Sequence, residues 1–266
     1  MAFYNLYKGG LNFSLQWYDM EKLTSRKNPL IRHLRLLGSD TGYRKEQGEY
    51  VLDGVKLLQE AMTFGAIINT VLWAGEAKFA VPGAAEYTAP KDLVEYASPL
   101  KNAPGPVFTV SVPEQKLPDS FEKVIVLENV QDPGNVGTVI RTANAMGMDA
   151  VILAGNCADV FGAKTARAAM GALFRQCVLE LTRNEAVNLL HKHGLRVYGA
   201  ALSDRAVDVR TVSVRNAAFV VGSEGRGLSD EMLGLCDGEV IIPMQPGSES
   251  LNAGVAASIL MWELAR

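Results

Sequence analysis

Apolar positions along the chain fall into two patterns that meet near residue 111. In the first stretch Leu30, Ile31, Leu34 and Leu37 recur at helical spacing behind Asn28 and Pro29. Asparagine ahead of proline predicts an N-cap, because proline's missing N–H costs nothing in a first helical turn. Gly38 stands where a C-cap glycine belongs. Tyr50-Val51-Leu52 predicts a short strand. Gly54 to Phe64 predicts a helix with Val55, Leu58, Ala61 and Met62 inward, ended by Gly65. Ile67 to Trp73 predicts a buried strand, Lys91 to Tyr96 a short helix, and Val107 to Val110 another strand. Residues 21–110 thus form a small α/β module. Residues 111–121 carry Pro113 and Pro118 with no apolar period, which predicts a linker.

Residues 122–266 alternate regularly. Unbroken apolar runs predict strands at 124–128, 150–154, 196–201, 217–221 and 239–242. Between them, helices are predicted at 135–147, 162–171, 184–193, 229–236 and 251–265. Strands apolar on both sides imply a mostly parallel sheet with helices on both faces. Residues 1–20 differ: they are rich in aromatics, broken at Gly9-Gly10, and lack the apolar run of a signal peptide. Met20 is a candidate start, and the leader is assigned no function.

Composition narrows the class. Hydrophobic residues make up 48% and charged residues 21%, which excludes disorder. Cys157, Cys177 and Cys236 form no CxxC pair and have no metal spacing with the histidines. Reduced thiols, a cytoplasmic location and no bound metal are the expectation. No run is long enough to span a membrane. A net charge of −3 gives no general argument for a nucleic-acid partner. Locally, however, Lys22, Arg26, Lys27, Arg32 and Arg35 follow one another with no acidic residue between. From charge alone, that run is read more simply as a solvated helix face. His33, His191 and His193 read as surface or packing residues.

Three glycine-rich loops start where predicted strands stop. The first runs from Glu128 through Asp132, Pro133, Gly134, Asn135 and Gly137 to Arg141-Thr142-Ala143. The second is Gly222-Ser223-Glu224-Gly225-Arg226-Gly227-Leu228. The third runs from Ile242-Pro243-Met244 to Ser250-Leu251-Asn252. Pro243 cannot donate to a ladder and stops its strand, and Ser250 is expected to cap the helix that follows. Strand carboxyl ends of a parallel sheet share one edge, where ligands bind. No P-loop or dinucleotide fingerprint is present, which disfavours a nucleotide-dependent oxidoreductase. Arg141 is expected on the first turns of a helix, where a cation opposes the dipole and needs an anionic partner or a functional reason. Glu224 is the local candidate, and a purely structural pair is the alternative.

These loops resemble the three signature motifs of the SpoU (TrmH-type) branch of the SPOUT methyltransferases. The matching pieces are Asn135…Arg141-Thr142-Ala143, Gly222 to Ser229, and Ile242-Pro243-Met244…Ser250-Leu251-Asn252…Ala256. One departure is Ala253-Gly254, where many members have Val-Ser, which would loosen the helix start. In the N-terminal module, Ser25 to Ile31 and Tyr50 to Gly54 resemble the family's substrate-binding domain. Arg167 to Phe174 is similar to a segment of its rRNA-directed members.

The resemblance implies a deep trefoil knot and methyl transfer from S-adenosylmethionine to an RNA ribose 2′-hydroxyl, with 23S ribosomal RNA the expected substrate. A tRNA methyltransferase of the same fold and a catalytically inactive RNA-binding protein are the alternatives. It implies cofactor contacts at Gly222, Ile242, Met244 and Leu251. It implies catalytic roles for Asn135, Arg141, Glu224, Ser250 and Asn252. RNA is expected to contact Arg26, Lys27, Arg32 and Arg35. A homodimer is expected through the C-terminal helix, where Val255, Ile259, Met261, Trp262 and Leu264 leave more than one face apolar.

Overall fold

The large sheet runs in the order β10-β12-β9-β11-β6-β7-β8, with every neighbouring pair parallel. Its strands are β6 (Lys123–Glu128), β7 (Ala150–Ala154), β8 (Val178–Leu181), β9 (Arg196–Ala200), β10 (Val207–Asp208), β11 (Ala217–Val221) and β12 (Gly238–Ile241). The computed structural model describes residues 20–101, 105–114, 117–245, 247 and 250–266. The leader expected at residues 1–20 therefore lies outside the described residues, apart from Met20.

Strand alternation sorts the core. Ile125 and Leu127 of β6 face the layer made by α5 (Pro133–Met146), α6 (Ala163–Ala169) and α9 (Ala253–Ala265). Val124 and Val126 face the opposite layer, α7 (Arg183–Lys192) and α8 (Asp230–Leu235). Exposure of both faces to apolar layers is why β6, β7 and β11 are apolar at every interior position. β12 pairs outside β9, yet α9 returns to the middle of the sheet against α5, β6 and β11. That return is consistent with the knot the resemblance implies.

The small sheet has the order β1-β4-β3-β5-β2. It comprises β1 (Glu21–Lys22), β2 (Glu49–Asp53), β3 (Ile68–Ala74), β4 (Ala85–Ala89) and β5 (Val107–Ser111). One face packs on α1 (Pro29–Ser39) and α4 (Lys91–Ala97) through Ile31, Leu34, Leu93 and Val94. The other face joins α3 (Val55–Thr63) and the large unit in one continuous apolar cluster. Tyr50, Trp73 and Phe108 share it with Ile140, Val160 and Leu173. Three ion pairs cross the same boundary: Arg44 of α2 (Thr41–Gln47) with Asp159 at 2.5 Å, Arg167 with Asp53 at 3.2 Å, and Lys45 of α2 with Glu180 at 3.8 Å.

Several expectations change. Asn28 does cap α1, accepting from the Leu30 N–H at 2.8 Å, but Gly38 lies inside the helix and Asp40 ends it. A Cβ at Gly38 would come 2.7 Å from the Pro99 Cβ, so the glycine serves close packing. α6 stops two residues early, at Ala169, with Met170 in left-handed conformation at φ 48°. Ser250 does not cap α9. Asn252 does, accepting from the Val255 N–H at 3.2 Å, because the helix begins at Ala253.

Candidate active site

A cavity of about 510 Å³ opens at the carboxyl ends of β9, β11 and β12. Its walls include Gly222, Glu224, Ile242, Met244, Ser250 and Leu251, so all four expected cofactor contacts meet there with two of the expected catalytic residues. Val221, Leu228 and Ala256 add apolar surface. The volume suits a ligand of nucleoside size.

Local geometry explains the second loop. It folds back on itself through paired backbone bonds between Ser223 and Gly227. A Cβ at Gly222 would sit 2.1 Å from the Gly227 carbonyl carbon, so no side chain fits. Gly225 and Gly227 have φ of 80° and 67°, which glycine adopts without strain. Ser229 then caps α8, its hydroxyl accepting from the Met232 N–H at 3.1 Å.

Glu128, which in the sequence only opens the first loop, underlies this turn. Its carboxylate is fully buried and accepts from the Ser229 hydroxyl at 2.6 Å and the Ser229 N–H at 2.9 Å. Arg183 completes the pair at 2.5 Å. The available signal was a lone carboxylate closing an otherwise apolar strand, since such a group must be paired when buried.

Asn135 joins the loops. Asp132 caps α5 by accepting from the Asn135 N–H at 2.8 Å, and the Asn135 side-chain amide donates to Glu224. A Cβ on Gly254 would lie 3.2 Å from the side-chain oxygens of both Asn135 and Asn252. The small residue at this departure from the family pattern therefore lets the start of α9 come close to α5.

Arg141 stands apart. Pro133 opens the helix, so Arg141 is its ninth residue and not on the first turns, and the dipole argument does not apply. Six residues along an α-helix move it about 9 Å from Asn135 and about a third of the way round the axis. It is exposed, does not line the 510 Å³ cavity, and has no hydrogen bond or ion pair among the described residues. The expected Arg141–Glu224 pair is absent, since Glu224 is taken by Asn135.

The basic run lies on the small unit. Arg26 and Arg35 flank the Tyr96 ring, at 4.5 and 4.3 Å from its centroid, while Lys27 and Arg32 are exposed. His33 bonds Tyr43 and Glu49, His191 contacts Asp237, and His193 meets the Phe121 ring edge-on. A larger cleft of about 850 Å³ holds none of the expected site residues. Asp159, Glu180, Glu185 and Glu231 outnumber Lys45 and Arg183 on its walls, which disfavours a polyanion there. Burial pushes the Cys236 thiol up to about 12, so it stays protonated. Among the described residues no helix is long and apolar enough to cross a membrane, and no group of three or more His, Cys, Asp or Glu side chains is placed to hold a metal ion.

A family model described as the SpoU rRNA Methylase family matches residues 122–262. The 23S rRNA guanosine 2′-O-methyltransferase RlmP of Bacillus subtilis is 32% identical over 250 residues, covering 92% of this chain and 99% of its own. A tRNA/rRNA methyltransferase of Synechocystis, described as uncharacterized, is 30% identical, with 93% and 94% covered. The crystal structure of an AdoMet-bound rRNA methyltransferase from Sinorhizobium meliloti aligns with a TM-score of 0.83 at 27% identity, over 92% of this chain and 97% of that one.

Proposed function

The chain belongs to the SpoU rRNA methylase family, and on that premise we propose that it methylates a ribose 2′-hydroxyl of 23S ribosomal RNA, using S-adenosylmethionine. One observation carries the reading: Gly222, Ile242, Met244 and Leu251 wall a single cavity with Glu224 and Ser250, while Arg141 stays exposed and without a protein partner. The residues fit the cofactor. Apolar side chains can hold its adenine, and loop amides can satisfy ring nitrogens. When bound, the cofactor supplies a sulfonium methyl, an electrophile that needs no metal.

The residues divide the remaining work. A guanidinium is a poor base, so Arg141 acts as a cation that grips RNA phosphate and stabilises the incipient alkoxide. The hydroxyl proton passes to phosphate or water. Asn135 and Glu224 hold the first two loops together, and Asn252 fixes the start of α9. Because Arg141 does not line the cavity of its own chain, the ribose spans the gap or enters the cavity of a second copy.

The division into a leader at 1–20, an RNA-binding module at 21–110, a linker at 111–121 and a methyltransferase unit at 122–266 belongs to the same reading. So does a cytoplasmic location. Arg26, Lys27, Arg32 and Arg35 then meet RNA. A homodimer is supported by α9, where Met261 and Leu264 point into the core but Val255, Ile259 and Trp262 form a second stripe. Trp262 is 63% exposed. The test is methyl incorporation from labelled cofactor into unmodified 23S rRNA and tRNA transcripts, with mapping of the product. A 2′-O-methyl in 23S rRNA is expected; labelling of tRNA alone, or of neither, overturns the reading.

A further inference from the structure

We propose that Arg175, laid over Phe64, forms with Met170 a contact surface for the RNA strand that runs from the end of α3 to Arg141. The proposal rests on the RNA-methylation reading above. Phe64 and Met170 are each 45% exposed. Met170 sits in the left-handed region, a conformation that costs a non-glycine residue energy and occurs at functional positions. The next residue, Gly171, abuts Leu57 and Glu60 of α3, which sets Met170 beside that helix.

Arg175 ties this apolar patch to the catalytic helix. Its guanidinium carbon lies 3.9 Å from the Phe64 ring centroid, and its Nε donates to Asn144 at 2.9 Å. Its two terminal nitrogens have no protein partner among the described residues, and neither does the Arg141 guanidinium. Asn144 and Arg141 are three apart on α5 and so are surface neighbours. Of the nearby carboxylates, Asp53 pairs with Arg167, whereas Glu60 Oε2 is buried beside Gly171 with no hydrogen-bond partner among the described residues. Two available guanidiniums beside an aromatic and a thioether match a single-stranded RNA, whose phosphates take bidentate donors and whose bases stack.

The competing account is a strut that merely joins α3 to α5. The test uses full-length protein, filter binding to an unmodified 23S rRNA transcript, and a salt series. Arg175→Ala is expected to weaken binding and to lower the slope of log affinity against log salt by about 0.7–0.9, the share of one phosphate. Phe64→Ala is expected to lose about tenfold in affinity with the slope unmoved. Arg175→Lys should keep the slope and lose affinity, because a point charge lacks the fork and the stack. A strut would shift melting temperature without touching the slope. Unchanged RNA affinity and slope in Arg175→Ala overturns the proposal, whatever its melting temperature. Failure of the wild type to bind the transcript overturns the RNA reading itself.

Discussion

The Asn135 side-chain amide donates to the carboxylate of Glu224, so two loops 89 residues apart are held together at one edge of the sheet. Asn135→Asp would oppose two carboxylates there at neutral pH. We expect cofactor affinity to fall about tenfold or more, measured by calorimetry. Adding Glu224→Gln should recover most of it, since the amide then donates in the reverse direction. A double-mutant cycle with no coupling would show that the contact does not shape the cavity.

Arg141→Ala is expected to reduce single-turnover methylation of a 23S rRNA transcript by about a hundredfold or more at saturating cofactor. Cofactor binding and melting temperature should hardly change, because the side chain is exposed and has no protein partner among the described residues. Arg141→Lys should rescue little. Near-normal turnover by the alanine variant would remove Arg141 from the chemistry. A mixed dimer of Arg141→Ala and Gly222→Ala chains then asks where the group acts. Substantial recovered activity would mean that it serves the partner's cavity.

The Arg44–Asp159 pair predicts a pH signature. Burial alone would raise the Asp159 carboxyl, but Arg44, the Phe161 N–H and the Thr41 hydroxyl hold it below its ordinary 3.8. A carboxyl lower in the folded state stabilises fully above its unfolded value and loses that effect as pH falls through the folded one. Asp159→Asn should therefore melt earlier than wild type at pH 7. The gap should persist to about pH 5 and narrow progressively below about pH 4, as pH falls through the folded value. The cost at neutral pH should be below the roughly 3–5 kcal/mol of a fully buried pair, since the Asp159 side chain is 22% exposed. A gap independent of pH would mean that the lost contacts, not the charge, matter.

Trp262→Glu tests the outward stripe of α9. A carboxylate on an exposed side chain should cost the isolated chain little stability but should prevent burial of that stripe. Light scattering at micromolar concentration should show a dimer for the wild type and a monomer for the variant. A wild-type monomer would remove the dimer from the proposal.

What could be read in the sequence followed from how much of each signal was local. β6, β7 and β11 are unbroken apolar runs, and their bounds were read to within a residue. β8 includes Glu180 in only four residues and β4 is half polar, so neither has enough period to announce itself. α2 (Thr41–Gln47) buries only Arg44, a side chain no apolar pattern reports. Ser250 and Asn252 are equally able to cap a helix; only the backbone at Asn252, φ −55° and ψ 139°, decides between them. Asn135 and Glu224 could each be picked out by its motif, but not as partners, because only the sheet edge brings them together. Gly137 is legible only in three dimensions: a Cβ there would meet the Thr165 carbonyl oxygen at 2.5 Å, which is why α5 and α6 pack so closely.

The apolar cluster that Tyr50 and Trp73 share with Ile140 and Leu173 also governs how a substrate would be measured. A reader domain on a tether samples many separations and tolerates many targets. Here the surface that carries Arg26 and Arg35 and the edge that carries the cavity are welded through common side chains. If the Arg26 and Arg35 surface meets RNA as proposed, the two are the fixed jaws of a caliper. For an enzyme acting on folded RNA, discrimination would then come from whether the distance and angle between two RNA features fit that gap. Flexible RNA of matching local sequence but different shape would be turned away.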